Sequence, residues 1–222
     1  IAADHICGRR SAYTGALGTS VLKLFDLTAA STGLNEKQAR AAGVAYDKVV
    51  TYSASHASYY PGARNMTVKT LFDPASGRIL GAQIVGFDGV DKRMDVLAAA
   101  IRAGLTAEQL TELDLAYAPP YGSAKDPVNM AGYVIENVRA GLVEQHHWDA
   151  VAELPADGSV ILLDVRTPGE VRKQGLLRSD ALHIPLDELR GRLGELDKGK
   201  KIYVNCYSGL RSYLACRILS QH

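Results

Sequence analysis

The spacing of apolar residues changes partway along this chain, and that change limits the fold more than any single motif does. The runs YDKVVTYSAS (46–55), NMTVKTLFD (65–73) and RILGAQIVG (78–86) follow the two-residue period of strands with one covered face. The last two are joined by DPASG, hairpin turn chemistry in which Gly77 is free to take positive φ, so the spacing predicts an antiparallel sheet. From about residue 148 the strands become continuous apolar runs, SVILLDV (159–165) and KIYVNC (201–206). They alternate with the helical patterns LDELRGRLGEL (186–196) and RSYLACRIL (211–219), an order that predicts a parallel sheet. The fold class is therefore an α+β domain with an antiparallel sheet and helices, followed by an α/β domain with a parallel sheet.

Helix signals fill the gaps. NEKQARAAG (35–43) opens on an Asn cap and closes on Gly, VDKRMDVLAAAIRAG (90–104) repeats apolar residues at helical spacing and ends in Gly104, and Thr106 begins a further short helix. Asp126 and Pro127 cap the helix that follows YAPPYGSAK, the most irregular loop of the first half. The first domain is expected to end near Gly141, with a connector after it. In that connector His146 and His147 diverge in any regular backbone, so a shared metal is not expected; with Trp148 they read as linker packing.

Composition narrows the function classes. A net charge of +1 offers no electrostatic case for nucleic acid or an anionic membrane, and the longest apolar runs are too short to span a bilayer. Three cysteines, with no CxxC pair, make no disulfide framework and point to reduced thiols in a cytoplasmic protein. Cys7 has Arg9 and Arg10 nearby and reads as a core residue. No GxGxxG occurs, so the chain does not bind a dinucleotide by that route unaided. Because it starts without Met, in what reads as the middle of a helix, and stops directly after another, it is expected to be an excerpt of a longer polypeptide.

The segment VNCYSGLRSYLACRI (204–218) carries the chemistry. A loop at the carboxyl end of a parallel strand faces outward, and the helix behind it directs unpaired N–H groups into the loop. Cys206 sits there, where the helix start, with Arg211 adding a full positive charge, favours the thiolate. The bland alternative is a small buried residue at a strand end. A Cys–loop–Arg cradle also serves phosphatases, but four residues between Cys206 and Arg211 make a tighter ring than theirs, suited to one sulfur atom.

CYSGLR (206–211), with LLDVRTPGEV (162–171) and ALHIPLDELRGRL (181–193), resembles the rhodanese family over roughly 148–222. The resemblance implies a persulfide on Cys206, cradled by the N–H groups around Tyr207, Ser208, Gly209, Leu210 and Arg211, with Asp164 and Arg166 bracing the loop. Rhodaneses usually continue with another strand and helix beyond the active helix, so the domain is expected to be incomplete here.

GTSVLKLFDLTAASTGLNE (18–36), SASHASYYPGA (53–63) and YAPPYGSAKDPVN (117–129) resemble the C-terminal part of flavin-dependent pyridine nucleotide–disulfide oxidoreductases, specifically coenzyme A-disulfide reductases and related NADH oxidases. The resemblance implies residues 1–32 as the tail of an FAD-binding domain, 33–141 as the reductase dimerisation domain, 142–147 as linker and 148–222 as the rhodanese-like domain. It implies a homodimer whose loops reach the partner's flavin, FAD and NAD(P)H as cofactors held mostly outside this chain, and coenzyme A disulfide, persulfide or polysulfide as substrate. Tyr117 and Tyr59 are then the phenols that protonate a leaving thiol, with Tyr60 as the fallback and Tyr121 as packing. Ala16 and Leu17 lie where backbone approaches the flavin, and Lys125 meets a CoA phosphate. An NADH oxidase, or a non-catalytic dimerisation scaffold, is the alternative function.

Overall fold

The computed structural model describes residues 1–222, which divide into two units, Ile1–Ile135 and Glu136–His222. The first begins with a short helix α1 (Ala2–Ile6) and continues with strands β1 (Ser20–Leu24) and β2 (Leu27–Gly33), then α2 (Glu36–Ala41). Strands β3 (Asp47–Ala54), β4 (Asn65–Phe72) and β5 (Ile79–Gly86) follow, and then α3 (Val90–Ala103), α4 (Ala107–Thr111) and α5 (Pro127–Arg139). All five strands form one antiparallel sheet in the order β1-β2-β5-β4-β3.

The alternating pattern decides which face is covered. Val49 and Thr51 of β3, Met66, Val68 and Thr70 of β4, and Ala82 and Ile84 of β5 are buried. Val50, Tyr52 and Val85, one residue out of phase, are exposed. Helix α3 packs on β2 and β5 and turns Val90, Met94, Leu97 and Ala100 inward. Truncating a fully buried residue such as Leu97 to Ala costs about 2–5 kcal/mol by lost transfer energy and the cavity left behind. Where α4 and α5 cross, a Cβ at Gly132 would lie 2.7 Å from the Ala107 carbonyl oxygen, so this crossing requires glycine.

The turn and cap expectations hold. Asp73 accepts from the Ala75 amide (2.9 Å) and the Ser76 hydroxyl (2.8 Å), and Gly77 closes the hairpin at φ 76°. Asn35 and Thr106 each form a capping box, with Gln38 and Gln109. The hairpin β1–β2 is a feature the sequence left unassigned; its two-residue turn holds Phe25 at φ 51°. Strand β2 runs through residues 32 and 33, the position at which a domain boundary was expected. The core reading of Cys7 is corrected: α1 buries none of its residues, and the thiol at its end is exposed.

In the second unit, a 3₁₀ turn (Trp148–Glu153) precedes β6 (Val160–Asp164), α6 (Pro168–Gln174), β7 (Leu182–His183), α7 (Leu186–Leu189), β8 (Lys201–Asn205) and α8 (Leu210–Leu219). The sheet is parallel, in the order β7-β6-β8, as the continuous apolar runs predict. Leu163, Val165, Ile184, Leu189 and Ala215 form its buried centre. One expectation fails: 186–196 is not a single helix but the four-residue α7 and a separate 3₁₀ turn, Leu193–Glu195, a stretch that contains Gly191 and Gly194. His146 meets the Tyr203 ring edge-on at 4.9 Å, whereas Trp148 is 84% exposed and does not pack as expected.

Candidate functional site

The sulfur site is built at the carboxyl end of the parallel sheet. Strand β8 ends at Asn205, Cys206 follows, and Gly209 turns the chain at φ 101° and ψ −33° so that α8 starts at Leu210. That φ belongs to glycine, because an L side chain there clashes with its own backbone. The turn aims the Gly209 amide at Cys206 Sγ, which accepts its hydrogen bond at 3.1 Å. Burial pushes the thiol pKa up, but the Ser212 hydroxyl and the amides of Ser212, Gly209 and Ser208 outweigh it, leaving Cys206 below the ordinary thiol range.

Ser212 Oγ lies 3.5 Å from the sulfur and donates its single proton to the Gly209 carbonyl at 2.8 Å. In the thiol form the S–H points at Oγ; on ionisation the hydroxyl can turn its proton to the sulfur. Sequence reasoning gave Ser212 no role, and its position in the first turn of α8 was the available signal. Cys216, further along α8, is the opposite case, since burial first, and then the Cys206 charge, push its thiol up.

Two ion pairs frame the loop. Asp164, fully buried at the end of β6, accepts from Arg166 Nη2 (2.6 Å), Nε and the Arg166 amide (both 3.0 Å). Arg166 also donates to Gln174 Oε1 (2.9 Å) and the Gly175 carbonyl (2.7 Å), and its own carbonyl lies 2.8 Å from His183 Nε2. Burial raises the Asp164 pKa, but the hydrogen bonds from Arg166 outweigh it and leave the carboxyl below the usual range.

The second pair corrects an expectation. Arg211 does not add an uncompensated charge to the cradle: Nη1 and Nη2 each donate at 2.7 Å to the Glu170 carboxylate. Glu170 Oε2 also accepts from the Thr167 amide (2.9 Å) and hydroxyl (2.7 Å), closing the capping box of α6. Arg211, ahead of Thr167, holds the Glu170 carboxyl far below the usual carboxylate range. The pattern Thr167-x-x-Glu170 is legible as a cap; its second role is not, because Arg211 lies 41 residues away.

In the first unit, the loops 55–64 and 113–126 converge. The Ala57 amide donates to the carbonyls of Pro119 (3.3 Å) and Gly122 (3.0 Å). Tyr117 is the foremost cause of a raised Tyr59 pKa, which puts the two phenols side by side. Both phenols are exposed, as are Tyr60 and Tyr121. Beneath them buried Arg93 donates to Asp126, the Ser55 carbonyl (2.8 Å), the Gly89 carbonyl (3.2 Å) and the Tyr121 carbonyl (3.5 Å). Lys125 is exposed, its Nζ 5.3 Å from the centre of the Tyr133 ring. Ala16 is exposed and Leu17 half-buried in a segment pinned by Arg102, which donates to the carbonyls of Thr14 (3.3 Å) and Gly15 (2.9 Å). The structure thus brings Tyr59 and Tyr117 together, and Cys206 with Ser208 and Gly209.

Comparison with known proteins agrees with this division. Residues 19–127 match the pyridine nucleotide-disulphide oxidoreductase dimerisation domain, and residues 147–222 match the rhodanese-like domain. Among curated proteins, the coenzyme A disulfide reductase of Staphylococcus haemolyticus is 42% identical over 134 residues, 60% of this chain and 30% of that protein. The crystal structure of reduced CoADR-RHD from Bacillus anthracis superposes with a TM-score of 0.93 at 48% identity, over 99% of this chain and 39% of the other. The NAD-dependent persulfide reductase of A. fulgidus gives 0.84 at 42% identity, over 98% of this chain and 38% of the other. The chain therefore spans between 30% and 39% of the length of these relatives. The chain carries a pyridine nucleotide-disulphide oxidoreductase dimerisation domain followed by a rhodanese-like domain.

Proposed function

We propose that this chain supplies the dimer-forming and sulfur-handling parts of an FAD-dependent, NAD(P)H-driven reductase of coenzyme A disulfide, persulfide or polysulfide, acting in the cytoplasm as a homodimer. The observation that carries the reading is the Gly209 amide 3.1 Å from Cys206 Sγ at the start of α8, with the thiol held below its ordinary pKa. Such a sulfur has more thiolate character than an ordinary thiol, which makes it a better nucleophile toward sulfane sulfur, and a persulfide formed on it would receive the same amides.

The tyrosine pair serves the reductase half. An exposed phenol beside a second phenol can donate a hydrogen bond, or a proton, to a departing thiolate, the role proposed for Tyr117 with Tyr59. Residues present here fit an adjoining flavin. Ala16 lies exposed between Gly15 (φ 85°) and Gly18 (φ 66°), and a Cβ at either glycine meets open space, so no neighbouring atom crowds this backbone where a ring would approach. Ala16, Leu17 and Tyr117 would border the flavin, which when bound supplies the electrons taken from NAD(P)H. Exposed Lys125 would meet a CoA phosphate as a point charge.

The test is Cys206→Ser in the complete enzyme. Reduction of CoA disulfide should persist while turnover of persulfide and polysulfide slows; equal loss of both activities would contradict the division of labour.

A further inference from the structure

The charges around Cys206 point to a limit on its donor, and we propose that Glu170 is a specificity-determining residue that excludes doubly charged sulfur donors by neutralising Arg211. This inference rests on the sulfur-handling reading above.

Every full positive charge that frames the loop is already matched. Arg166 faces the Asp164 carboxylate and turns its remaining donors to Gln174 and the Gly175 carbonyl. Arg211 faces Glu170 through two 2.7 Å hydrogen bonds. The loop side chains of Tyr207, Ser208 and Leu210 carry no charge, and Tyr207 and Leu210 are each 66% exposed, making an apolar rim. What remains is the partial charge of the α8 N-terminus, about half a unit, and the amides already directed at the sulfur. The site therefore has capacity for one anionic sulfur and none for a dianion beside it. A free guanidinium would change that balance, since a unit positive charge attracts a dianion even in water-like surroundings.

Two donors separate the cases. With an alkyl persulfide, Cys206–S⁻ attacks the outer sulfur of R–S–SH. A bond forms between Cys206 Sγ and the outer sulfur as the donor's S–S bond breaks, R–S⁻ leaves, and the proton remains on Cys206–S–SH. With thiosulfate, Cys206–S⁻ takes the outer sulfur as the S–S bond breaks, giving Cys206–S–S⁻ and sulfite, and a dianion must approach a thiolate and Glu170. The first step suits the site.

The experiment follows the addition of one sulfur to Cys206 in the full chain by intact mass, using N-acetylcysteamine persulfide and thiosulfate as donors. Glu170→Gln keeps an acceptor for the Thr167 amide, and so the cap of α6. It should raise the thiosulfate loading rate relative to persulfide by about tenfold, the equivalent of one added charge. The gain should vanish when Arg211→Ala is added. An unchanged ratio, or a gain that survives without Arg211, overturns the proposal. The wild-type chain gives a reading independent of any variant: its thiosulfate rate should stay flat or rise with added salt, and a steep fall would reveal an uncompensated cation and overturn it. If neither donor loads Cys206, the sulfur-handling reading itself fails; if both load at similar rates, only the role of Glu170 does.

Discussion

Arg93 and Asp126 meet in the buried interior of the first unit, with Nη2 2.9 Å and Nε 3.1 Å from the same carboxylate oxygen. The pair joins two jobs, because Asp126 also accepts from the Val128 amide at 3.1 Å and so caps α5. Removing one member leaves the other as an uncompensated buried charge. Asp126→Ala is expected to cost about 3–5 kcal/mol, read as a fall in the denaturant midpoint. Arg93→Met should cost as much, since three carbonyls lose their donor as well.

Glu36, in the first turn of α2, gathers Lys48 (2.8 Å), Lys69 (3.0 Å) and Arg40 (3.2 Å). Burial raises its pKa, but the two lysines prevail and bring it down to about 2. A carboxyl depressed in the folded state stabilises fully above its ordinary pKa of about 4.3, and the contribution is lost as pH falls toward 2. Glu36→Gln should therefore lower stability by about 2 kcal/mol at pH 7 and by little at pH ~2.5, measured by denaturant titration at both.

Alkylation of Cys206 by iodoacetamide should follow a titration with its midpoint below that of an ordinary thiol, while exposed Cys7 serves as the internal reference. Ser212→Ala removes the hydroxyl and should raise the Cys206 midpoint without altering the alkylation of Cys7. A wild-type midpoint at or above that of Cys7 would remove the basis for a thiolate at this loop.

Tyr117→Phe should return the Tyr59 hydroxyl toward its ordinary pKa near 10, followed by the ultraviolet absorbance of tyrosinate. In the complete enzyme the same variant should lower kcat for disulfide reduction by about 10²-fold, with less effect on KM, if the phenol assists the leaving thiol.

Local rules made much of this molecule legible. The caps at Asn35 and Thr106, the hairpin at 73–77 and the parallel sheet each depend on a few adjacent residues or on a period, and each forms as expected. The position of Cys206 at the end of β8 followed from the same patterns. The β1–β2 hairpin did not, because its strand Ser20–Leu24 is exposed throughout and its turn holds Phe25 rather than the expected Asn or Gly. Partnerships between distant residues were equally hidden. Nothing near Arg211 announces Glu170, and nothing near Tyr121 announces the buried Arg93 that holds its carbonyl. Such pairings are settled by the crossing of elements, which no short window of sequence contains.

The turn at Gly209 draws its shape from backbone alone, and the groups that meet the sulfur are main-chain amides and one serine further along the helix. The side chains of Tyr207, Ser208 and Leu210 take no part in that arrangement and lie in solvent. Evolution can therefore redecorate three neighbouring positions, and with them the choice of visiting molecule, while the reactive atom keeps its surroundings; a single methyl group on Gly209 would forfeit that freedom.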